Sequence, residues 1–312
     1  MSATPKKQTS SKAPPEGTPN RFESLLVPLD LTAISDRVVG RVSLLPLADH
    51  ARITLLHVVP SALPGRARTQ AERDAKKKLS HEALLLAKAL PKTVQIRTLT
   101  KVGSGAATIA ECGETERAEL VVMGRGDGRA LRDVFLGSTA ERLIRRCQVP
   151  VLVVRLPARA SYARPAIAMD LDETAEVALD ALHRVTTPPR PNVSVIHAFD
   201  TPYGRVYPSL SHEDAEEWVH ELERKVTARL VTLFSESLAR AGIPPENAPR
   251  FRPHVRCGSA RLIVERAVKK ADNDLLVLGT HAYSGVAHLF LGTVAGDVLR
   301  EVSCDVLIAP TP

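Results

Sequence analysis

Two apolar runs, "ELVVMG" at residues 119–124 and "DLLVLG" at 274–279, are each followed by a loop closed by glycines. Gly124 and Gly137 bound "GRGDGRALRDVFLGS", Gly279 and Gly292 bound "GTHAYSGVAHLFLGT", and the glycines are thirteen steps apart in both. One spacing used twice points to a duplicated unit, and a duplication displaces every landmark by a fixed amount. Asp30 in "LLVPLD" meets Asp170 in "AIAMD" at a shift of 140, as His57 meets His197. Gly103 with Gly258, Gly124 with Gly279, Gly137 with Gly292 and Val151 with Val306 all stand 155 apart. Unit two therefore carries fifteen extra residues between His197 and Gly258.

Within unit one, short β-branched runs alternate with amphipathic stretches. Strands are expected at "SLLVPL", "RITLLHVV", "VQIRTLT", "ELVVMG" and "VPVLVV", and helices at 33–48, 68–90, 105–117 and 138–147. Apolar strands interleaved with helices form a parallel sheet covered on both faces, because each right-handed crossover lays a helix on the sheet. The fold class is thus α/β, with two tandem doubly wound parallel five-stranded sheet domains, at 22–156 and 163–312. The join, "RLPARASYARP", is short and bounded by prolines, so the domains are expected to sit close. Residues 1–21 carry no apolar periodicity and read as a disordered tail. The stretch 200–220, with Tyr203, Tyr207 and Trp218, reads as a surface loop of the inserted segment, and within it "HEDAEEWVHE" at 212–221 fits a solvated helix face rather than a metal site.

The net charge of +7 includes +3 from the first 21 residues, and aromatics are 4% of the chain. A nucleic-acid surface needs clustered basic side chains, usually with stacking aromatics, so no nucleic-acid partner is expected. No apolar run is long enough to span a bilayer, and the polar start lacks the core of a signal peptide, so the protein is expected to be cytoplasmic, without a membrane partner. Cys112, Cys147, Cys257 and Cys304 form no CxxC and are expected to be free thiols.

In an open α/β sheet, ligands lie beyond the carboxyl ends of the strands, where the strand order reverses. Asp30 and Asp170 follow strand one, and Gly124 and Gly279 end strand four. Gly137 with Ser138, and Gly292 with Thr293, open the last helix of each unit, where free amides, a hydroxyl and the helix dipole favour phosphate. Each element also has a plainer use. The aspartates can cap the first helix, the hydroxyls can be ordinary caps, and the glycines can serve a turn that needs a left-handed backbone. His57 and His197 read as closing strand two, and "VGSGAAT" at 102–108 as the turn into the third helix.

The motifs "VPLD", "LLHVV" and "ELVVMG", with the series Gly, two residues, Gly, nine residues, Gly, then Ser or Thr, make the chain similar to the universal stress protein family in its tandem form. The resemblance covers nearly all of 22–310 and implies an adenine nucleotide alpha hydrolase-like architecture. It also implies ATP, with Mg²⁺ on the phosphates, at Pro28, Asp30, Val58, Met123, Gly124, Gly137, Ser138 and Thr139. The matching residues of unit two are Ala168, Asp170, Ala198, Leu278, Gly279, Gly292, Thr293 and Val294. The second glycine of the series is Asp127 in unit one and Ala282 in unit two. A carboxylate beside phosphates is repulsive, so the second site is expected to be the tighter. No residue is assigned as catalytic or as a metal ligand, since no activated nucleophile, base or Walker-type lysine is evident.

The function expected is that of a regulatory ATP-binding protein of the stress response, acting on an unidentified protein partner. A nucleotide-free dimerising scaffold with decayed sites and a slow ATPase of the same fold are the alternatives. The resemblance further implies pairing of the two domains through their edge strands, with a homodimer of the tandem chain left open.

Overall fold

The computed structural model describes residues 21–126, 138–172, 174–200, 211–280 and 293–310. Unit one runs β1 (Phe22–Pro28), α1 (Ala33–Val42), β2 (Leu47–Pro60), α2 (Gly65–Ala89), β3 (Gln95–Gly103), α3 (Gly105–Thr115), β4 (Leu120–Gly124), α4 (Ser138–Ile144) and β5 (Val151–Val154). Unit two repeats it as β6 (Pro165–Ala168), α5 (Thr174–Val185), β7 (Val193–Phe199), α6 (His212–Arg240), β8 (Phe251–Cys257), α7 (Ala260–Lys270), β9 (Leu275–Thr280), α8 (Thr293–Glu301) and β10 (Asp305–Pro310). The tail and the loops carrying Asp127 and Ala282 lie outside the described residues.

All ten strands form one sheet, in the order β3-β2-β1-β4-β5-β10-β9-β6-β7-β8. Each half is parallel and reverses its order beside its first strand, as a doubly wound unit does. The halves join where β5 pairs antiparallel with β10, Leu152 opposite Leu307.

Alternation along the strands supplies both cores. Leu25, Val27 and Leu307 face one layer, built with α1, α2, α5 and α6, whereas Leu26, Val306 and Ile308 face the other, built with α3, α4, α7 and α8. Each layer draws on both units, so the apolar interior runs unbroken across the junction.

The structure departs most from the sequence reading in two places. Helix α1 stops at Val42 rather than reaching residue 48, and its last carbonyls are taken up by the Ser43 and Leu44 amides. Pro46 disfavours helix in the residue before it. The chain instead enters β2 early, through an irregular register between Phe22↔Leu47 and Ser24↔Arg52. In the inserted segment, where 201–210 lie outside the described residues, residues 212–220 follow the helix reading rather than the loop one. They open the 29-residue helix α6, capped by Ser211, whose Oγ accepts the Asp214 amide at 3.1 Å.

Because β5 and β10 run in opposite senses, the carboxyl end of β5 meets the amino end of β10. The linker then runs along the amino ends of β10 and β9 to reach β6, and two aspartates hold it there. Asp274 accepts the Ala163 and Arg164 amides at 2.8 and 3.0 Å. Asp305, fully buried, accepts the Arg155 and Leu156 amides on one oxygen at 2.7 and 2.8 Å. Its other oxygen takes Arg41 Nε at 3.1 Å and the Tyr162 hydroxyl at 2.8 Å. The Arg41 guanidinium lies 4.0 Å over the Tyr162 ring and donates to Ala160 O. Every lone pair of the buried carboxylate thus has a donor, the condition under which a buried charge is tolerated.

Close helix crossings explain the glycines that end the fourth strand of each unit. A Cβ on Gly124 would lie 2.5 Å from Ile34 Cγ2 of α1. On Gly279 it would lie 2.9 Å from Thr174 Cβ and 3.0 Å from the Thr174 carbonyl oxygen of α5. Neither glycine has a left-handed backbone, so the turn reading gives way to a steric one.

Three measurements follow from this packing. Asp305→Ala should lower the unfolding free energy by about 3–5 kcal/mol, and Tyr162→Phe by about 1 kcal/mol, in denaturant titrations, with the double variant less than additive. Gly279→Ala should cost more than Gly124→Ala, both within about 1–3 kcal/mol, because it meets backbone rather than a side-chain methyl. The third concerns His183, whose Nε2 lies 3.0 Å from Ser237 Oγ. Burial, helped by Arg190 and Arg240, pulls its pKa down from 6.5 to about 4. The unfolded chain takes up this proton first, so stability should fall as pH drops from 6.5 to about 4, and His183→Gln should flatten that part of the profile.

Candidate functional site

At the carboxyl ends of the unit-one strands, beside the reversal of strand order, a cleft of about 580 Å³ opens. Six of the residues singled out from the sequence line it together: Pro28, Asp30, Val58, Met123, Gly124 and Thr139. Ser138 is the first residue of α4, and Asp127 and Gly137 lie outside the described residues. The size falls within the range of small-ligand pockets, and the walls mix apolar side chains with a few polar groups, as such pockets do.

The turn that places Asp30 is tightly built. Leu31 sits at φ 61°, a left-handed backbone rarely adopted by a branched aliphatic residue. Three contacts fix it: the Leu31 amide donates to Ser35 Oγ at 3.0 Å, and Asp30 Oδ1 accepts from the Thr32 amide at 3.0 Å and from Ser35 Oγ at 3.1 Å. Thr32 is the residue that caps α1, its Oγ1 accepting from Ile34 N while donating to Asp30 Oδ1 at 2.8 Å. One carboxylate oxygen therefore organises the turn, and Asp30 remains exposed at the cleft.

Unit two divides these duties differently. Asp172, at the position of Thr32, takes the turn itself, accepting from the Thr174 amide at 2.9 Å and the Thr174 hydroxyl at 2.6 Å. Asp170 is left 67% exposed, with His197 Nδ1 3.9 Å away. Ala198 lies in β7 and Leu278 and Gly279 in β9, with Ala168 in register with Leu278. Thr293 and Val294 open α8, while Ala282 and Gly292 lie outside the described residues.

Several lining residues were not singled out as site residues. His57 Nδ1 stands 2.7 Å from the Leu29 carbonyl, so that nitrogen carries the hydrogen and the ring closes β2 over β1 while also facing the cleft. His197 repeats the contact on Met169 O at 2.9 Å. The turn Gly103-Ser104-Gly105 leads into α3, as the sequence reading has it, but it is also a wall of the cleft. A Cβ on Gly105 would lie 3.3 Å from Thr139 Cγ2, so its absence keeps the gap between α3 and α4 open. The signal for this wall was present in "VGSGAAT", whose glycines serve the turn and the opening at once. Ser35 and Ile109 carry no such mark, because a serine and an isoleucine on amphipathic helices read as ordinary packing.

Among the described residues, no group of three or more His, Cys, Asp or Glu side chains converges as a metal site. None of the four cysteines forms a disulfide, and burial raises the thiol pKa of Cys112, Cys147 and Cys304, the last to about 12. Such thiols are poor nucleophiles. No helix among the described residues is long and apolar enough to cross a membrane.

The sequence profile of the Universal stress protein family matches residues 21–155 and again 162–310. A universal stress protein of Methanocaldococcus jannaschii is 28% identical over 144 residues, covering 44% of this chain and 85% of its own. Another, of Mycolicibacterium smegmatis, is 24% identical over 302 residues, covering 91% of this chain and 96% of its own. Among solved structures, a universal stress protein from Archaeoglobus fulgidus superposes over 92% of this chain and 98% of its own, with a TM-score of 0.65 at 16% identity, a likeness of fold. Matched by one profile in each half, the chain belongs to the universal stress protein family, in its tandem two-domain form.

Proposed function

We propose that the protein is a regulatory adenine-nucleotide-binding protein of the stress response, acting in the cytoplasm on a protein partner. The observation that carries this reading is the unit-one cleft, in which Asp30, Val58, Met123, Gly124 and Thr139 meet at the reversal of strand order. The residues suit the ligand. Val58, Ile109 and Met123 offer apolar surface for a purine, and Asp30 offers an acceptor for ribose hydroxyls. The small residues Gly124, Gly126 and Gly105 leave room for phosphates near the start of α4. A Mg²⁺ ion would arrive with the phosphates and offset their charge. Binding, with no chemistry required, is enough for a protein whose occupancy biases its association with others.

The two sites should differ. By its place in the glycine series Asp127 would set a carboxylate near the phosphates of unit one, and two unit charges about 6 Å apart repel by roughly 3 kcal/mol at an effective dielectric of 20, around a hundredfold in affinity. Unit two has the neutral Ala282 there, and its Asp170 is not committed to the capping turn. Calorimetric titration with ATP and Mg²⁺ should give one tight site per chain and one weak or empty one. Gly292→Asp should abolish the tight site, and Asp127→Gly should strengthen the other by tens of times or more. Heats that show no saturable binding at either site would overturn the nucleotide reading. Two equal sites in the unmodified chain would overturn the asymmetry alone.

A further inference from the structure

A second cavity, of about 310 Å³, lies at the junction of the two units. Its walls are Arg37 of α1, Arg125 beyond β4, Val154 of β5, Arg155 of the linker, and Glu301, Val302 and Ser303 at the end of α8, and Ile34 lines both it and the cleft described above. Three arginines from three segments therefore line one small space. Their opposing carboxylate is engaged elsewhere, since Glu301 pairs with Arg261. Among the described residues, none of Arg37, Arg125 and Arg155 has a carboxylate side chain as an ion-pair partner. Arg37 donates to the Arg155 carbonyl at 2.8 Å. Arg155 donates to Val302 O and Leu299 O, the free carbonyls at the end of α8.

Arg155 is only 9% exposed, and its Nε is buried without a partner among the described residues. Burial pulls its pKa down to about 10, and the charge of Arg125 beside it acts in the same direction, against Cys304 and Asp305. Like charges brought together in a partly buried space are unfavourable unless an anion joins them. The duplication sharpens the point, because it supplies a reference for what the fold itself requires. At the matching positions unit two has Val177, Thr280 and Pro310. Three uncharged residues hold the same places in the same fold, so the scaffold does not need the arginines.

We propose that this junction cavity is an anion site for a phosphate-type oxyanion, held by Arg37, Arg125 and Arg155. Guanidinium groups present paired N–H donors matched to phosphate oxygens, and three of them suit a dianion better than a halide. The Ser303 hydroxyl is a further donor on the wall. The bound anion joins α1 and the β4 end of unit one to the linker and the foot of α8 in unit two, so its occupancy ties the units together. The site stands whether or not the neighbouring cleft binds a nucleotide.

The test uses the nucleotide-free full-length chain, titrated calorimetrically with inorganic phosphate and compared with chloride at equal ionic strength. One saturable phosphate per chain is expected, with a rise in melting temperature that chloride does not reproduce. Arg125 has no partner among the described residues, so Arg125→Gln should leave the fold intact and weaken phosphate at least tenfold, with Arg125→Lys intermediate. Lys76→Gln, on the exposed face of α2, should leave binding unchanged. Gly137→Asp, which places a charge at the start of α4 in the nucleotide cleft, should also leave it unchanged. Phosphate binding lost in Gly137→Asp but kept in Arg125→Gln would put the ion in the cleft and overturn the junction site. Binding insensitive to Arg125→Gln, or no saturable binding at all, would overturn it as well.

Discussion

The buried carboxylate of Asp305 is the fixed point around which the two halves are arranged. It stands at the amino end of the last strand, and its two oxygens collect donors from α1 of the other unit, from the linker backbone and from Tyr162. Removing a donor leaves a buried charge less well satisfied, and removing several would leave it in an apolar interior where its desolvation is costly. The carboxylate therefore sets where β10 begins, where the linker turns and how α1 lies against both. The antiparallel ladder of β5 with β10 joins the halves in register, and the Asp305 cluster anchors the linker and α1 beside it. The cluster also breaks the likeness of the two units, since Pro150 and Ala181 occupy the places of Asp305 and Arg41.

Much of this was legible in the sequence because duplication lets each half check the other. Alternating strands and helices, the 140 and 155 shifts, and the ends of β1 and β4 all follow from local pattern; Asp30 and Gly124 were read from it, and with Pro28, Val58, Met123 and Thr139, which the family resemblance implied, they share one cleft. What was less legible depends on approach between distant segments. The crossing of Ile34 over Gly124 is a tertiary contact, so the glycine alone was open to a turn reading and a ligand reading and gave no sign of the steric one. The early end of α1 had a local cause in Pro46, outweighed in the pattern by Val42, Leu44 and Leu45, which continue a helical stripe. In the inserted segment, aromatic residues near prolines resemble a loop while "HEDAEEWVHE" has the make-up of a solvated helix face, and Ser211 with Asp214 makes the helix start. Asp305 carried no signal at all, since an aspartate before an apolar run reads as a strand boundary.

The division of labour in the capping turns shows how drift after duplication can change a site without changing the fold. In unit one, a threonine caps α1 and Asp30 braces it, whereas in unit two Asp172 performs both tasks. The backbone route is the same, and the carboxylate nearest the strand end acquires a different freedom.

The sheet's two outer strands carry one more consequence. Edge strand β3 bears Arg97 and Lys101, and edge strand β8 bears Arg252, Arg256 and Pro253, the last without an amide hydrogen to offer. A further strand approaching either margin from another copy would meet its own kind of charge, and at β8 a break in the ladder as well. Among the described residues the antiparallel seam of β5 with β10 is closed internally and both margins carry such guards, features that disfavour extension of the sheet by a further strand.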